Sequence, residues 1–524
     1  MKKIKYLLIG LTLFLTIGIA NVNAETGKTP ETITTKEKLL YYIYYYGGEA
    51  IITGNTIKLT KNLELNQDIT FNNKENITLD LNGNGIYLGN NKIMILGASR
   101  NIKITDTSNT DNDYIKSASN FTIYNASNAG TITIENTKII AGGSLPAIYS
   151  YTESKTNIIN TTIQGEKDVV LALKNSQVNI TNSNITIGNT NGDKGITNTN
   201  GKVNITNSNI TITDSSSNGI GIYNNEDNSN TTITNSIVKA KKNAIYNEKG
   251  TLIVNNGTFT SNEHALRTSQ NTTINGGTFI SNTMAGIQIL GSGNNIVLNE
   301  GTMKTNSQTI GGLAIPQGKN ISSYLTKNSI INNNETTSSN GLTYTKEKEI
   351  IIVSTPKTKT LNTKTYTYNN QTKTPTVKIT NNLGRTLTQN IDYKLNYQPK
   401  RKNVGTYYVE IVYIGKYKNL NKEKLYFTIN PKSTYITNLT KGKKSITLKI
   451  KKQAIQTTGY QIIYSQNKNF KNSKTVNIKN TNTKKTIKNL KSNKRYYIKV
   501  RTYKTIYGKM YYSTWSQAKS IIVK

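Results

Sequence analysis

The sequence contains no cysteine, so disulfides, thiolate metal sites and a cysteine nucleophile are all excluded. It contains one histidine, His264, which rules out a metal centre built on a histidine pair. Arg267 lies three residues further on, and strand positions three apart face opposite sides, so the two are not expected to serve one substrate. His264 is therefore read as a surface histidine at a strand end. After residue 20 no stretch is apolar enough to span a bilayer. Arginine stands at only six positions (100, 267, 385, 401, 495 and 501), so the positive charge is almost all lysine. Acidic residues disappear entirely from one region: Lys432 onward holds 23 basic residues and no aspartate or glutamate.

What is present begins with an export signal. Lys2, Lys3 and Lys5 precede an apolar run over residues 6–20, and Val22-Asn23-Ala24 supplies small residues of the kind a signal peptidase prefers. Residues 1–24 are expected to be removed, leaving a chain outside the cytoplasm that does not span the membrane. The 524 residues are too many for a single core, so several domains or a repeat array must share them. The formal charge of +38 is unevenly placed. Residues 25–345 carry 24 basic and 23 acidic groups, whereas residues 346–524 carry 39 and 5. A lysine-rich codon bias would act evenly along the chain, so it does not account for this division.

Over residues 76–305 one pattern recurs: apolar, any, apolar, any, Asn, then a further apolar residue. Val178-Asn179-Ile180-Thr181-Asn182-Ser183-Asn184-Ile185 and Val203-Asn204-Ile205-Thr206-Asn207-Ser208-Asn209-Ile210 are the clearest copies. The second apolar position runs through Leu81, Ile104, Ile134, Ile158, Ile180, Ile205, Ile233, Val254, Ile274 and Leu298, a mean spacing of about 24 residues that falls in the range of solenoids. Alternating Ile, Val and Thr indicate strands buried on one face. Another apolar residue follows five positions later (Ile139, Ile163, Ile185, Ile210, Val238, Phe259, Phe279), an odd interval that a straight strand would turn outward. A corner must lie between the two, where Asn and Gly tolerate left-handed backbone. Asn136, Asn160, Asn182, Asn207, Asn235 and Asn256 are expected to stack and bond through their amides. Second apolar stretches at 169–173, 219–223 and 285–290 supply a further strand per coil. Thr34-Thr35-Lys36-Glu37, followed by Leu39, Leu40, Ile43 and Tyr44, predicts a cap helix over residues 34–46.

Ile77-Thr78-Leu79-Asp80-Leu81-Asn82-Gly83 and the coils after it resemble the pectin-lyase-like superfamily. The resemblance implies a right-handed parallel β-helix over residues 25–345, with about ten coils behind the cap helix, within an all-β chain. Many members are polysaccharide lyases or glycoside hydrolases, chemistry that needs paired carboxylates or clustered Asp with Ca²⁺ and a cationic base. The sequence has no Asp-Asp pair, no Gly-His-Gly and no Arg-x-Lys. A fragment similar to the polygalacturonase pattern remains at Asn109-Thr110-Asp111, with Asp113 close by. Asp106, Asp111 and Asp113 are the candidates for catalysis and equally for a Ca²⁺ site; no other cofactor is expected.

Residues 346–430 resemble a bacterial immunoglobulin-like repeat, carried by 368–377, Asp392-Tyr393-Lys394-Leu395-Asn396-Tyr397 and Asn403-Val404-Gly405-Thr406-Tyr407. Residues 431–524 are similar to a fibronectin type III domain: Ile446, Leu448 and Ile450 alternate, and Leu490 stands six residues before Tyr496, the spacing of that family's tyrosine corner. Trp515 is read as packing on the last strand. Inward apolar positions leave outward ones to Lys441, Lys443, Lys444, Lys449, Lys451, Lys452, Lys484, Lys485, Lys488, Lys491 and Lys494, the expected polyanion-binding set. The partners implied are anionic wall polymers such as teichoic acids, acidic glycans, or a host or neighbouring-cell surface. Released DNA and anionic lipid heads are also polyanions, but nothing supports specific nucleic-acid recognition. Lysine is a solvated point charge, so adhesion should be loose and salt-sensitive. No sorting motif, hydrophobic tail or lipidation cysteine is seen, and retention by charge is expected instead. The function expected is a secreted surface or adhesion protein without catalysis; the alternative is a carbohydrate-active enzyme with the sandwiches as accessory modules.

Overall fold

The computed structural model describes the chain apart from residues 1–38, 41–42, 44–46, 72–75, 97–100, 109, 111–112, 127, 129, 189–193, 214–217 and 292–294. The export signal lies outside the described residues, as does most of the expected cap helix. Of that helix, Leu39, Leu40 and Ile43 are helical and buried against the coil core. The chain divides into two compact units, Met1–Ser354 and Thr355–Lys524.

The first unit is a β-solenoid of about ten turns whose strands stack into three long sheets. Each turn contributes one strand to each sheet, and successive turns pair in parallel. In the first sheet a single column runs through Ile104, Ile134, Ile158, Ile180, Ile205, Ile233, Val254, Ile274 and Leu298. Nine of the ten expected positions are thus in register. The tenth is corrected: Leu79, not Leu81, pairs with Ile104, while Leu81 is buried at the corner beyond the strand. Period-two alternation makes these two leucines equivalent in sequence, and only the pairing distinguishes them. The residues five positions later form the matching column of the third sheet, from Ile139 to Phe279. The strands around Val170, Ile222 and Ile287 belong to the intervening second sheet.

The corner between the first and third sheets explains the asparagines. Asn136, Asn160, Asn182, Asn207 and Asn235 all have φ between 49° and 53°, a left-handed conformation that Asn adopts at lower cost than most residues. In the Asn255-Asn256-Gly257 copy the positive φ passes to Gly257, where an added Cβ would lie 2.3 Å from the Ser236 carbonyl oxygen. The expected amide stacking at this position is seen between Asn160 and Asn136 and between Asn256 and Asn235, each at 3.1 Å. Longer amide ladders occupy other columns: Asn157–Asn179–Asn204 at 2.8 Å per step, and Asn255–Asn275–Asn299 at 3.0 and 2.9 Å.

Antiparallel strands close both ends of the solenoid. Ala50–Thr53 pairs with Thr56–Leu59 at the start. At the far end Glu349–Ser354 pairs with Gly301–Thr305, and Leu342–Thr345 with Leu313–Pro316. Covering these edges removes templates for aggregation. Glu349–Ser354, inside the range 346–430 expected for the next module, therefore finishes the solenoid, since Ile350 and Ile352 lie in the coil core.

The second unit holds two arrays, antiparallel except that Thr365–Thr367 pairs in parallel with Glu423–Asn430. In the first, Pro356–Leu361 pairs with Val377–Asn381, and a four-stranded sheet joins Thr365–Thr367, Glu423–Asn430, Gly405–Tyr413 and Tyr393–Tyr397. In the second, Ile436–Gly442, Ser445–Ile450 and Lys484–Ile487 form one sheet. Lys474–Lys479, Gly459–Ser465, Arg495–Ile506 and Lys509–Tyr512 form the other, with Lys519–Ile522 also paired to Arg495–Ile506. Ile446, Leu448, Tyr460, Ile462, Ile498 and Val500 make the core between them. The corner expected at Tyr496 is present: its phenol oxygen accepts from the Lys491 backbone N–H at 3.1 Å.

Candidate functional site

The carboxylates first considered for catalysis are held by the fold. Asp106 Oδ1 accepts from the Gly83 N–H at 2.6 Å and its Oδ2 from the Ser108 hydroxyl at 2.5 Å. Asp113 Oδ2 accepts from the Lys138 N–H of the next coil at 3.1 Å. Both side chains are buried, and neighbouring Asp80 bonds the Asn82 and Thr107 N–H groups in the same way. These acids cap turns between coils. Asp111 lies outside the described residues. Among the described residues no three His, Asp or Glu side chains come together to hold a metal ion.

His264 is buried, with 7% exposure, which corrects the surface placement expected for it. It starts the strand His264–Thr268 with its ring turned inward and its Nδ1 3.0 Å from the Ala285 carbonyl. Burial drives its pKa down from 6.5 to about 4, with a smaller contribution from Arg267, so the ring is neutral and Nδ1–H donates. Arg267 points the other way, 5.1 Å over the Tyr246 ring.

Tyr246 belongs to a feature on the outer face of the second sheet. One column there runs Tyr124, Tyr149, Leu171, Thr197, Tyr223, Tyr246, Arg267. The Tyr124 and Tyr149 rings stack at 5.0 Å with 6° between planes, and Phe121 packs 4.7 Å from Tyr149. Tyr223 and Tyr246 stack at 5.4 Å. Burial raises the pKa of Tyr149 and Tyr246. Tyr223 is raised further, by burial and then by its hydrogen bond to the Glu248 carboxylate. Cations edge the row: Lys174 donates to the Tyr151 hydroxyl at 2.9 Å and lowers its pKa, and Lys194 sits 5.7 Å over Tyr223. Sequence reasoning missed this row. Its signal is the recurrence of Ile-Tyr followed by Asn or Ser at 123–125, 148–150, 222–224 and 245–247. Attention to the inward residues hid the phase between them.

In the last array, ten of the eleven lysines singled out are exposed. Lys485 is half-buried because it shares the inward phase of Ile487. Lys449 and Lys484 stand directly opposite each other across two strands. No acid exists in residues 432–524 to neutralise any of them. On the opposite sheet Phe470, Trp515 and Tyr512 cover Lys499 and Arg501. Lys499 lies 4.3 Å from Phe470 and 5.2 Å from Trp515, and Arg501 lies 4.3 Å from Trp515 and 3.7 Å from Tyr512. Trp515 thus packs on the sheet, while Lys474, Lys479, Arg495, Lys509 and Lys519 leave exposed positive charge on its strands as well.

No family model matches the chain, and no curated protein matches it. Among solved structures it is similar to the FN1–FN3 domains of chicken CNTN1, at 13% identity over 36% of this chain and 85% of that one, with a TM-score of 0.18. It is also similar to domains A168–A170 of titin, at 9% identity over 36% and 82%, with a TM-score of 0.15. Among the described residues no helix is long and apolar enough to cross a membrane.

Proposed function

We propose that the chain is a secreted bacterial surface protein that binds glycans and anionic wall polymers without catalysis. In this reading the β-helix, of the pectin-lyase-like kind, offers its tyrosine row to a saccharide chain. The lysine-rich last sandwich holds the protein to phosphate- or carboxylate-bearing polymer. The observation that carries it is the exposed lysine surface of residues 432–524, which has no internal counter-charge. Counter-ions gathered there are released when a polyanion binds, so affinity must fall steeply with salt. Aromatic rings flanked by both signs of charge suit a sugar's apolar face and hydroxyls.

Washing cells with about 0.5 M salt should release the protein, given a screening length of roughly 4 Å at that strength. Retention after the wash overturns charge-based anchoring. Purified protein incubated with acidic polysaccharides should bind them and produce no new reducing or unsaturated ends. Appearance of such ends overturns the non-catalytic reading.

A further inference from the structure

Modules strung on one chain move relative to each other by default, because the connector is usually exposed and few contacts cross it. The second unit departs from this at its connector. Only residues 431–435 separate strand Glu423–Asn430 of the first sandwich from strand Ile436–Gly442 of the last. Pro431 has its φ fixed by its ring and is buried, as is Thr434. The Lys432 carbonyl accepts from the Thr502 hydroxyl at 2.7 Å, and the Ser433 carbonyl from the Gln453 side-chain amide at 2.9 Å. The Thr434 hydroxyl donates to the Lys451 carbonyl at 2.6 Å, and the Lys451 N–H donates to the Tyr435 carbonyl at 2.9 Å. Every connector residue after the proline is therefore tied to the last sandwich. Where the connector begins, the Tyr368 N–H of the first sandwich donates to the Asn430 carbonyl at 2.8 Å.

A second set of contacts joins the two sandwiches away from the connector. The Val404 N–H donates to Gln456 Oε1 at 3.1 Å, and the Thr406 and Tyr511 hydroxyls lie 3.2 Å apart. Tyr511 is buried there, although Tyr507 on the same hairpin is fully exposed. The loop that carries Gln456 is itself braced. The Thr458 N–H donates to the Tyr503 carbonyl at 2.8 Å, and the Asn480 amide donates to the Thr457 carbonyl at 2.8 Å. A bonded connector alone would still allow the modules to pivot about it. Contacts at a seam remote from the connector remove that pivot.

We propose that the two sandwiches form one stiff arm, in which residues 431–435 act as a strap fastened to the last sandwich and not as a hinge. The arm holds the last sandwich in a single orientation to the one before it, whatever the last sandwich binds.

The absence of cysteine lets two labels be placed without competition. The full mature chain carries Lys378→Cys in the first sandwich and Lys474→Cys in the last, both exposed strand positions. Each is spin-labelled, and the separation is read by pulsed electron resonance. The native joint should give one narrow distance distribution. A strap variant adds Gln453→Ala and Thr434→Val. A seam variant adds Tyr511→Phe and Gln456→Gly, since glycine also accepts the φ of +53° found at Gln456. All four together should widen the distribution about twofold, towards that of a control with a flexible Gly-Ser insertion after Pro431. Circular dichroism checks that each variant is folded; if the combined one is not, the strap and seam variants are compared separately. A broad or multiple distribution in the native chain overturns the proposal. Folded variants as narrow as the native chain overturn it too, because the contacts named would then not be what holds the arm.

Discussion

At the scale of single residues, conformation and protonation decide what a position tolerates. Asn182 sits at φ 50° in a corner. Replacing it with Ala should cost about 1 kcal/mol of unfolding free energy in urea titration, while Gly should cost only a few tenths. An equal loss for both would mean that its amide, not its backbone, matters. His264 makes a pH prediction. Its folded pKa of about 4 lies below the ordinary histidine value of 6.5, so the unfolded chain binds the extra proton first. The stability it contributes is complete above pH 6.5 and is lost as pH falls towards 4. Between pH 7.5 and 4.5 this amounts to about 2–3 kcal/mol. The charge of Arg267 opposes protonation as well. His264→Asn keeps a donor towards the Ala285 carbonyl and does not titrate. Its urea midpoint should therefore fall less than the native one on acidification. The sequence offered no sign of this burial, because a strand's end can turn to either face.

At the scale of elements, the solenoid is a stack in which each turn supports the next. Ile180 is fully buried between Ile158 and Ile205. Ile180→Ala should destabilise by about 2–5 kcal/mol through lost burial and the cavity left behind. Because contacts are with nearest turns, hydrogen exchange should quicken first in the strands at 155–159 and 202–206. Uniform loss of protection along the whole solenoid would contradict this one-dimensional coupling. The terminal strand Glu349–Ser354 carries a different duty. Ile352→Lys should loosen it from Gly301–Thr305 and expose a sheet edge, with concentration-dependent aggregation in light scattering as the readout. The columns were legible from alternation and period, down to Ile180 and Ile139. The capping role of residues 350–353 was not, since an antiparallel closing strand and the first strand of a new module have the same alternation.

At the scale of the whole molecule, charge follows the division into units. Residues 355–524 carry a net charge of +34, while residues 25–354 are close to neutral. Neutralising lysines in the second unit should therefore lower affinity for polyanions and flatten its salt dependence. Neutralising the same number in the first unit should change neither by more than about twofold. Lys484→Glu, opposite Lys449, should raise stability by about 0.5 kcal/mol at low salt, a gain that high salt removes.

Composition and periodicity were enough to determine that this chain forms stacked coils, with basic charge gathered at one end of the sequence, while the two sandwiches were expected from strand spacing together with a resemblance to known modules. Those properties depend on spacing and on residue type, and both survive without coordinates. Tertiary structure alone decided that Leu79 and not Leu81 joins the column, that His264 turns inward, that Asp106 and Asp113 serve backbone amides, and that the tyrosines line up. Each of these depends on which residues of different turns become neighbours, and that is set by register across strands some twenty residues apart in sequence.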